Sequence, residues 1–362
     1  MMKTPLTIVL GYILVVFYGL QTTIYEHVPD PRVQNWLLMP RWTPILSIII
    51  VYYVIVMIGP ILMENRQPYT LRNVLKVYNF VQVMISGYMF KEFVISAWQS
   101  SYSLKCQPVD RSNSPQALRM AAACWWFFFS KVIDLLDTFF FILRKKNSQV
   151  TFLHVYHHGS MILNWWLAGK YFPGGQIFFQ CTCNSFVHVV MYTYYFLSAF
   201  GPAIQKYLWW KRYLTQLQLI QFLAIIIHLI YGMSRTCDFP FVLNCYIIIY
   251  CITLISLFTN FYVEAYQHQR TDRLEIQAAL QEKRARSLAA GGTGTNNYAN
   301  NSYMNILRSG PVKNGASCTN GTLMQNGTLM QNGSPGATMI SNGYCNPESD
   351  VNANGPLPYL RR

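Results

Sequence analysis

Three histidines, His154, His157 and His158, stand within five positions of the apolar stretch TFLHVYHHGSMILNWW at 151–166. Spacings of three and four place their imidazoles on one face of a helix. Such a cluster suits three kinds of chemistry: metal ligation, proton relay, or nucleophilic attack on a carbonyl. A lone histidine inside a membrane span often only ties helices together. Three beside other ionisable groups exceed that need.

Those other groups stand nearby. SKVIDLLDTFFFILRKK at 130–146 carries Lys131, Asp134 and Asp137 at successive spacings of three. A Lys or Asp near mid-span costs about 2.5–3.5 kcal/mol, against a gain of roughly 0.3–0.6 for each Leu or Phe. Three unpaired charges facing lipid would cancel most of that helix's apolar gain, so they must face inward, as a paired ladder that either builds a site or fixes packing. Further along, NSFVHVVMYTYY sets Asn184, His188 and Tyr192 on one face at spacings of four. TQLQLIQF adds Gln216, Gln218 and Gln221. Gln218 and Gln221 share a face, while Gln216 is turned by about 200° from Gln218. Four consecutive apolar runs thus each contribute an inward polar stripe, which implies one central polar site.

The elements that hold these stripes are legible from hydropathy. The chain has 362 residues, 52% hydrophobic and only 12% charged, with a net charge of +14. A soluble domain would carry roughly a quarter charged residues. Seven apolar runs, at 43–63, 74–97, 119–142, 150–169, 176–199, 213–233 and 241–265, are each long enough to cross about 30 Å of hydrocarbon. The expected fold is therefore an all-α polytopic membrane protein of seven transmembrane helices. Lys and Arg flank the runs, so the positive charge orients the chain in a membrane and is no sign of a nucleic-acid partner. Arg66, Arg72, Arg144, Lys145, Lys146, Lys206, Lys211 and Arg212 fall on one side, with the basic residues after the last run. That side, and with it the carboxyl terminus, is expected to be cytoplasmic. The anionic head of a substrate could dock there while an apolar tail enters the bundle.

Cys106 and Cys237 both fall in short polar connections on the opposite side. If that side is an oxidising lumen, they are expected to pair as a disulfide. Residues 1–28 hold a shorter apolar run at 5–20, which reads as a signal-like segment or an extra span. From 285 to 362 the chain is rich in Gly, Asn, Ser and Thr, with the repeat NGTLMQNGTLMQNG at 320–333. Such a tail buries too little apolar surface to fold and is expected to be disordered.

Metal chemistry meets a shortage of ligands. A membrane di-iron desaturase or hydroxylase uses about eight histidines in several boxes. This chain has seven in all, of which His27 and His268 lie outside the runs. Asp134, Asp137 and Glu264 would have to supplement His154, His157, His158, His188 and His228. A proton-coupled transporter would also use membrane His and Asp, but the two halves show no internal repeat.

The chain resembles the ELO family of very-long-chain fatty acid elongases, in its invertebrate branch. The matching pieces are, in order, DPRVQNWLLM, LMENRQPYTLRNVLKVYNFVQV, KCQPVD, NSPQALRM, KVIDLLDTFFFILRKK, FLHVYHHGSM, NSFVHVVMYTYY and YLTQLQLIQF, covering residues 29–270. The resemblance implies seven helices, six of them enclosing a tunnel for an acyl chain. It implies an enzyme of the endoplasmic reticulum membrane that condenses acyl-CoA with malonyl-CoA to 3-oxoacyl-CoA, CO2 and CoA, with no metal or other cofactor. By motif position His157 would carry the acyl group as an acyl-imidazole, with His188 as its partner across the tunnel.

A neutral imidazole is a competent nucleophile, and an acyl-imidazole is a reactive equivalent of the thioester. His154, His158, His188, Asn184 or a glutamine would supply donors to the enolate oxygen. Lys131 and Asp137 would hold the box in place. Membrane lipid and the reductases and dehydratase of the elongation cycle are the implied partners, and a homodimer is compatible. The family's KxxExxDT reads KVIDLLDT here, so Asp134 stands for Glu, and Gly159 stands where Thr is common after the box. The chain ends PYLRR, without the dilysine signal of many relatives, so residence in the endoplasmic reticulum rests on the resemblance alone.

Overall fold

The computed structural model describes residues 28–235 and 237–263, with Gln277, Gln281 and Glu282 beyond them. The run at 5–20, His27, Glu264, His268 and the tail at 285–362 lie outside the described residues. The helices below belong to one unit, Met1–Gln267.

Seven long helices account for the seven runs: α1 Thr43–Met63, α2 Arg72–Gln99, α3 Pro115–Leu143, α4 Phe152–Tyr171, α5 Phe178–Ser198, α6 Lys211–Met233 and α7 Phe241–Tyr262. A single turn, Pro202–Gln205, precedes α6, and no strand occurs among the described residues. Local chemistry sets several ends. Ser114 caps α3 by accepting from the Ala117 N–H at 3.2 Å, with Pro115 in the first turn. Thr151 caps α4 by accepting from the His154 N–H at 3.3 Å.

The bundle exposes many apolar side chains and buries polar ones alongside its apolar core. α2 buries Asn79, Gln82, Ser86, Glu92 and Ser96, while Val77, Phe80, Met84 and Trp98 face outward. Lys131, Asp134 and Thr138 of α3 and Gln180 and His188 of α5 are likewise buried. Apolar side chains gain nothing by leaving lipid, so a membrane bundle coheres through close packing and inward polar groups. By length and composition α1, α6 and α7 are each apolar enough to cross a membrane.

Six helices form a closed circuit, in the order α2–α5–α6–α7–α4–α3 and back to α2, with the α2–α5 contact the most extensive. α1 stands outside this ring, against α3 and α4. Strict up-and-down threading puts 100–114, 172–177 and 234–240 at one end of the bundle. There a disulfide joins Cys106 to Cys237. Gln176 of the same end, 1% exposed, accepts from the Gln107 N–H at 2.9 Å. Before α1, Asp30 is wholly buried, paired with Arg32 at 2.7 Å and Arg111 at 3.5 Å. At the opposite end Lys145 donates to the Glu64 carbonyl at 2.8 Å, and Arg72 bonds the Ala199 and Phe200 carbonyls. Arg66, Arg144, Lys146, Lys206, Lys211 and Arg212 lie at that end.

Candidate active site

Side chains of α3, α4, α5, α6 and α7 line a cavity within the ring. His157, Lys131, Asn184 and Gln221 are the expected site residues that line it. Along α4 its wall runs from His157 to Ala168, eleven residues, or about 16 Å at the helical rise. The rest of the lining is mainly apolar and aromatic, including Trp165, Phe222, Ile225, Ile247 and Leu254, with Asn164 and Gln180 among it. Two hydrogen bonds join α4 to α7 beside it. Ser160 Oγ lies 2.7 Å from the Tyr250 hydroxyl, and the Tyr246 hydroxyl donates to Asn164 Oδ1 at 2.7 Å.

Asp134 is the centre of the buried polar network. Its carboxylate pairs with the Lys131 ammonium at 3.3 Å and accepts from Gln82 Nε2 at 2.5 Å and from the Tyr192 hydroxyl at 3.0 Å. His188 Nδ1 stands 3.9 Å away. The shorter Asp side chain is therefore well satisfied, at 3% exposure. Asp137 is not paired with Lys131; its Oδ2 lies 2.9 Å from the same Tyr192 hydroxyl, whose one proton the two carboxylates share. Lys131 bonds Asn184 Oδ1 at 3.2 Å, and its ammonium lies over the Phe127 ring, 4.6 Å from the centroid. Asn184, His188 and Tyr192 thus meet α3 along one face of α5.

The histidine box divides. His157 lines the cavity, and its Nδ1 is buried without a hydrogen-bond partner among the described residues. His154 turns toward α3, its Nε2 lying 2.8 Å from Thr138 Oγ1. His158 sits between them, its ring centroid 4.3 Å from that of His154 and 5.5 Å from that of His157. Neither His154, His158 nor His188 lines the cavity; Lys131 and Asn184 occupy the wall toward α3 and α5. Gln216 donates to the Tyr262 hydroxyl at 3.2 Å and Gln218 to Met191 Sδ at 3.8 Å, so of the three glutamines Gln221 alone reaches the cavity. Among the described residues no group of three or more His, Cys, Asp or Glu is disposed to hold a metal ion.

Sequence reasoning passed over Gln82, Asn164, Tyr246 and Tyr250. Asn164 and Ser160 stand four apart on α4, as do Tyr246 and Tyr250 on α7. That spacing was the available signal. Gln82 belongs to a polar stripe on α2 whose periodicity was equally open to view.

The family model described as ELO: GNS1/SUR4 family matches residues 37–273. The chain is 44% identical over 292 residues to very long chain fatty acid elongase 4 of Mus musculus, covering 80% of this chain and 88% of that one. It is 50% identical over 241 residues to very long chain fatty acid elongase 7 of Rattus norvegicus, covering 66% and 85%. Against very long chain fatty acid elongase 1 of Homo sapiens it is 44% identical over 263 residues, covering 72% and 93%.

Proposed function

The chain belongs to the GNS1/SUR4 (ELO) family and is a condensing fatty acid elongase; from that premise we propose that it works through an acyl-imidazole on His157. One observation carries the assignment: alone of the three box histidines, His157 lines the cavity, with a ring nitrogen that no other side chain engages among the described residues.

The acyl chain lies along the apolar wall with its thioester carbonyl at His157. An imidazole nitrogen attacks that carbonyl, the carbon–sulfur bond breaks, and the ring's proton leaves with the departing CoA thiol. Malonyl-CoA then loses CO2. The resulting enolate attacks the acyl carbon and expels the imidazole, which regains a proton. One acyl-CoA, one malonyl-CoA and one proton give 3-oxoacyl-CoA, CO2 and CoA. Negative charge on the enolate oxygen calls for fixed donors in a site that excludes water. Lys131 and Gln221, which share the cavity wall with His157, are placed for that role. His188, His154 and His158 then act behind the wall, as supports of the lining residues. The chemistry draws on side chains alone and asks for no metal or other cofactor.

All seven helices are proposed to span the membrane, since each is 20 residues or longer and the polar residues of α2, α3 and α5 turn inward. The basic clusters support a cytoplasmic end at Lys145 and Arg72, where CoA enters, with the disulfide end in the lumen of the endoplasmic reticulum. The 3-oxo product requires a reductase, a dehydratase and a second reductase to become a saturated acyl chain, and these are the proposed partners. Purified protein incubated with radiolabelled malonyl-CoA and a panel of acyl-CoAs should yield labelled 3-oxoacyl products two carbons longer than the primer. Absence of label in every product would overturn the proposal.

A further inference from the structure

Tyr52 belongs to α1, the helix outside the ring. We propose that its hydroxyl and that of Thr138 on α3 form a fixed relay that positions His154, and through it the imidazole row ending at His157. The inference rests on the reading of His157 given above.

α1 is lipid-facing along most of its length, and its buried residues are Ile45, Tyr52 and Met63. Its one buried mid-helix residue therefore brings a hydroxyl into the bundle. That hydroxyl, on a residue 3% exposed, lies 3.3 Å from Thr138 Oγ1, and Thr138 is 1% exposed. Thr138 Oγ1 in turn lies 2.8 Å from His154 Nε2.

The inventory of protons gives the chain a direction. A phenol carries one O–H, which must find an acceptor when buried. Among the described residues Thr138 is its hydrogen-bond partner, so Tyr52 donates to Thr138 Oγ1. The single Thr138 proton then points to His154 Nε2, which accepts, and the His154 ring carries its proton on Nδ1. The opposite direction would strand the Tyr52 O–H. A partner on one ring nitrogen sets the tautomer and the ring plane of a functional histidine in this way. The His154 ring lies against that of His158, tilted by 45°, and His158 lies edge-on to His157. Because His154 does not line the cavity, it, Thr138 and Tyr52 are positioning residues.

Gly159 explains how α1 comes so near. A Cβ at this position would fall 2.8 Å from Tyr53 Cζ and overlap the Tyr53 hydroxyl. A side chain at 159 would oblige the Tyr53 ring to move aside. Tyr53 fills that space on α4 while its neighbour Tyr52 meets α3, which seats α1 between the two helices that carry the relay and the box.

The test uses full-length protein in detergent, with Thr138→Val, Thr138→Ser, Tyr52→Phe and His157→Ala beside the wild type. Thr138→Val should lower kcat by about ten- to a hundred-fold while leaving KM for acyl-CoA and malonyl-CoA unchanged. Thr138→Ser, which keeps the hydroxyl, should restore most of that loss. Tyr52→Phe should show the same kcat-only pattern with a smaller loss and an unchanged thermal midpoint. Wild-type kcat in Tyr52→Phe would overturn the relay, even if Thr138→Val failed to fold. Loss in Thr138→Val that serine does not restore would overturn it too. An active wild type with an inactive His157→Ala keeps the proposed function standing whichever way the relay variants behave; an inactive wild type would sink that function itself.

Discussion

Lys131 Nζ of α3 lies 3.2 Å from Asn184 Oδ1 of α5, joining the two helices at the cavity wall. The same ammonium pairs with Asp134 at 3.3 Å, and the lysine is 4% exposed. This pair makes Lys131 both a support for the α3–α5 seam and a fixed positive charge beside His157.

Removing that charge should therefore be costly twice over. Lys131→Met leaves Asp134 buried with Gln82 and Tyr192 but without its cation, and breaking a buried pair typically costs about 3–5 kcal/mol. Thermal unfolding in detergent should show a clearly lowered midpoint, and elongation should fall far below what the remaining folded fraction accounts for. A midpoint and activity equal to wild type would contradict the role of this network.

The architecture could be read from hydropathy because each helix forms around one long apolar run, and α1 coincides with the run at 43–63. The ends could not, since α3 begins at Pro115 under its Ser114 cap, four residues before the apolar run does. The inward stripes were visible as spacings of three and four. Which member of a stripe meets the cavity was not, because that depends on packing: Gln216 and Gln218 face Tyr262 and Met191, and Asp134 rather than the cavity receives His188. Thr138 continues the stripe of Lys131 and Asp134 at a spacing of four, but Tyr52 was beyond reach for another reason. Nothing in the pattern of α1 singles out its hydroxyl, and only the docking of α1 gives it a partner.

In the proposed route the acyl chain enters the cavity from His157. Ala168 lines the cavity about 16 Å along α4 from that residue. Ala168→Trp fills space at that distance, so the product profile should shift to shorter chains while short primers are still elongated. Chromatography of products from a graded series of acyl-CoAs measures the shift; an unaltered profile would place the acyl chain elsewhere.

The disulfide at the opposite end from the basic clusters joins residues 131 apart in sequence. Closing so long a loop restricts the unfolded chain, and loss of such a bond commonly costs about 2–4 kcal/mol. Changing both Cys106 and Cys237 to Ala should lower the thermal midpoint while leaving elongation measurable at low temperature. Reductant should lower the wild-type midpoint and leave that of the double variant where it is.

Because the proposed route draws on side chains alone, elongation should persist after exhaustive treatment with a strong chelator. Activity that disappears and returns with added iron would contradict the acyl-imidazole route and favour a metal at the histidine box.

The most direct measurement is the mass of the enzyme after incubation with acyl-CoA in the absence of malonyl-CoA. The expected result is an increase equal to one acyl group, mapped by peptide fragmentation to His157, absent from His157→Ala and discharged when malonyl-CoA is added. An unmodified protein that still elongates when malonyl-CoA is supplied, or an acyl group on another residue that discharges competently, would contradict the account.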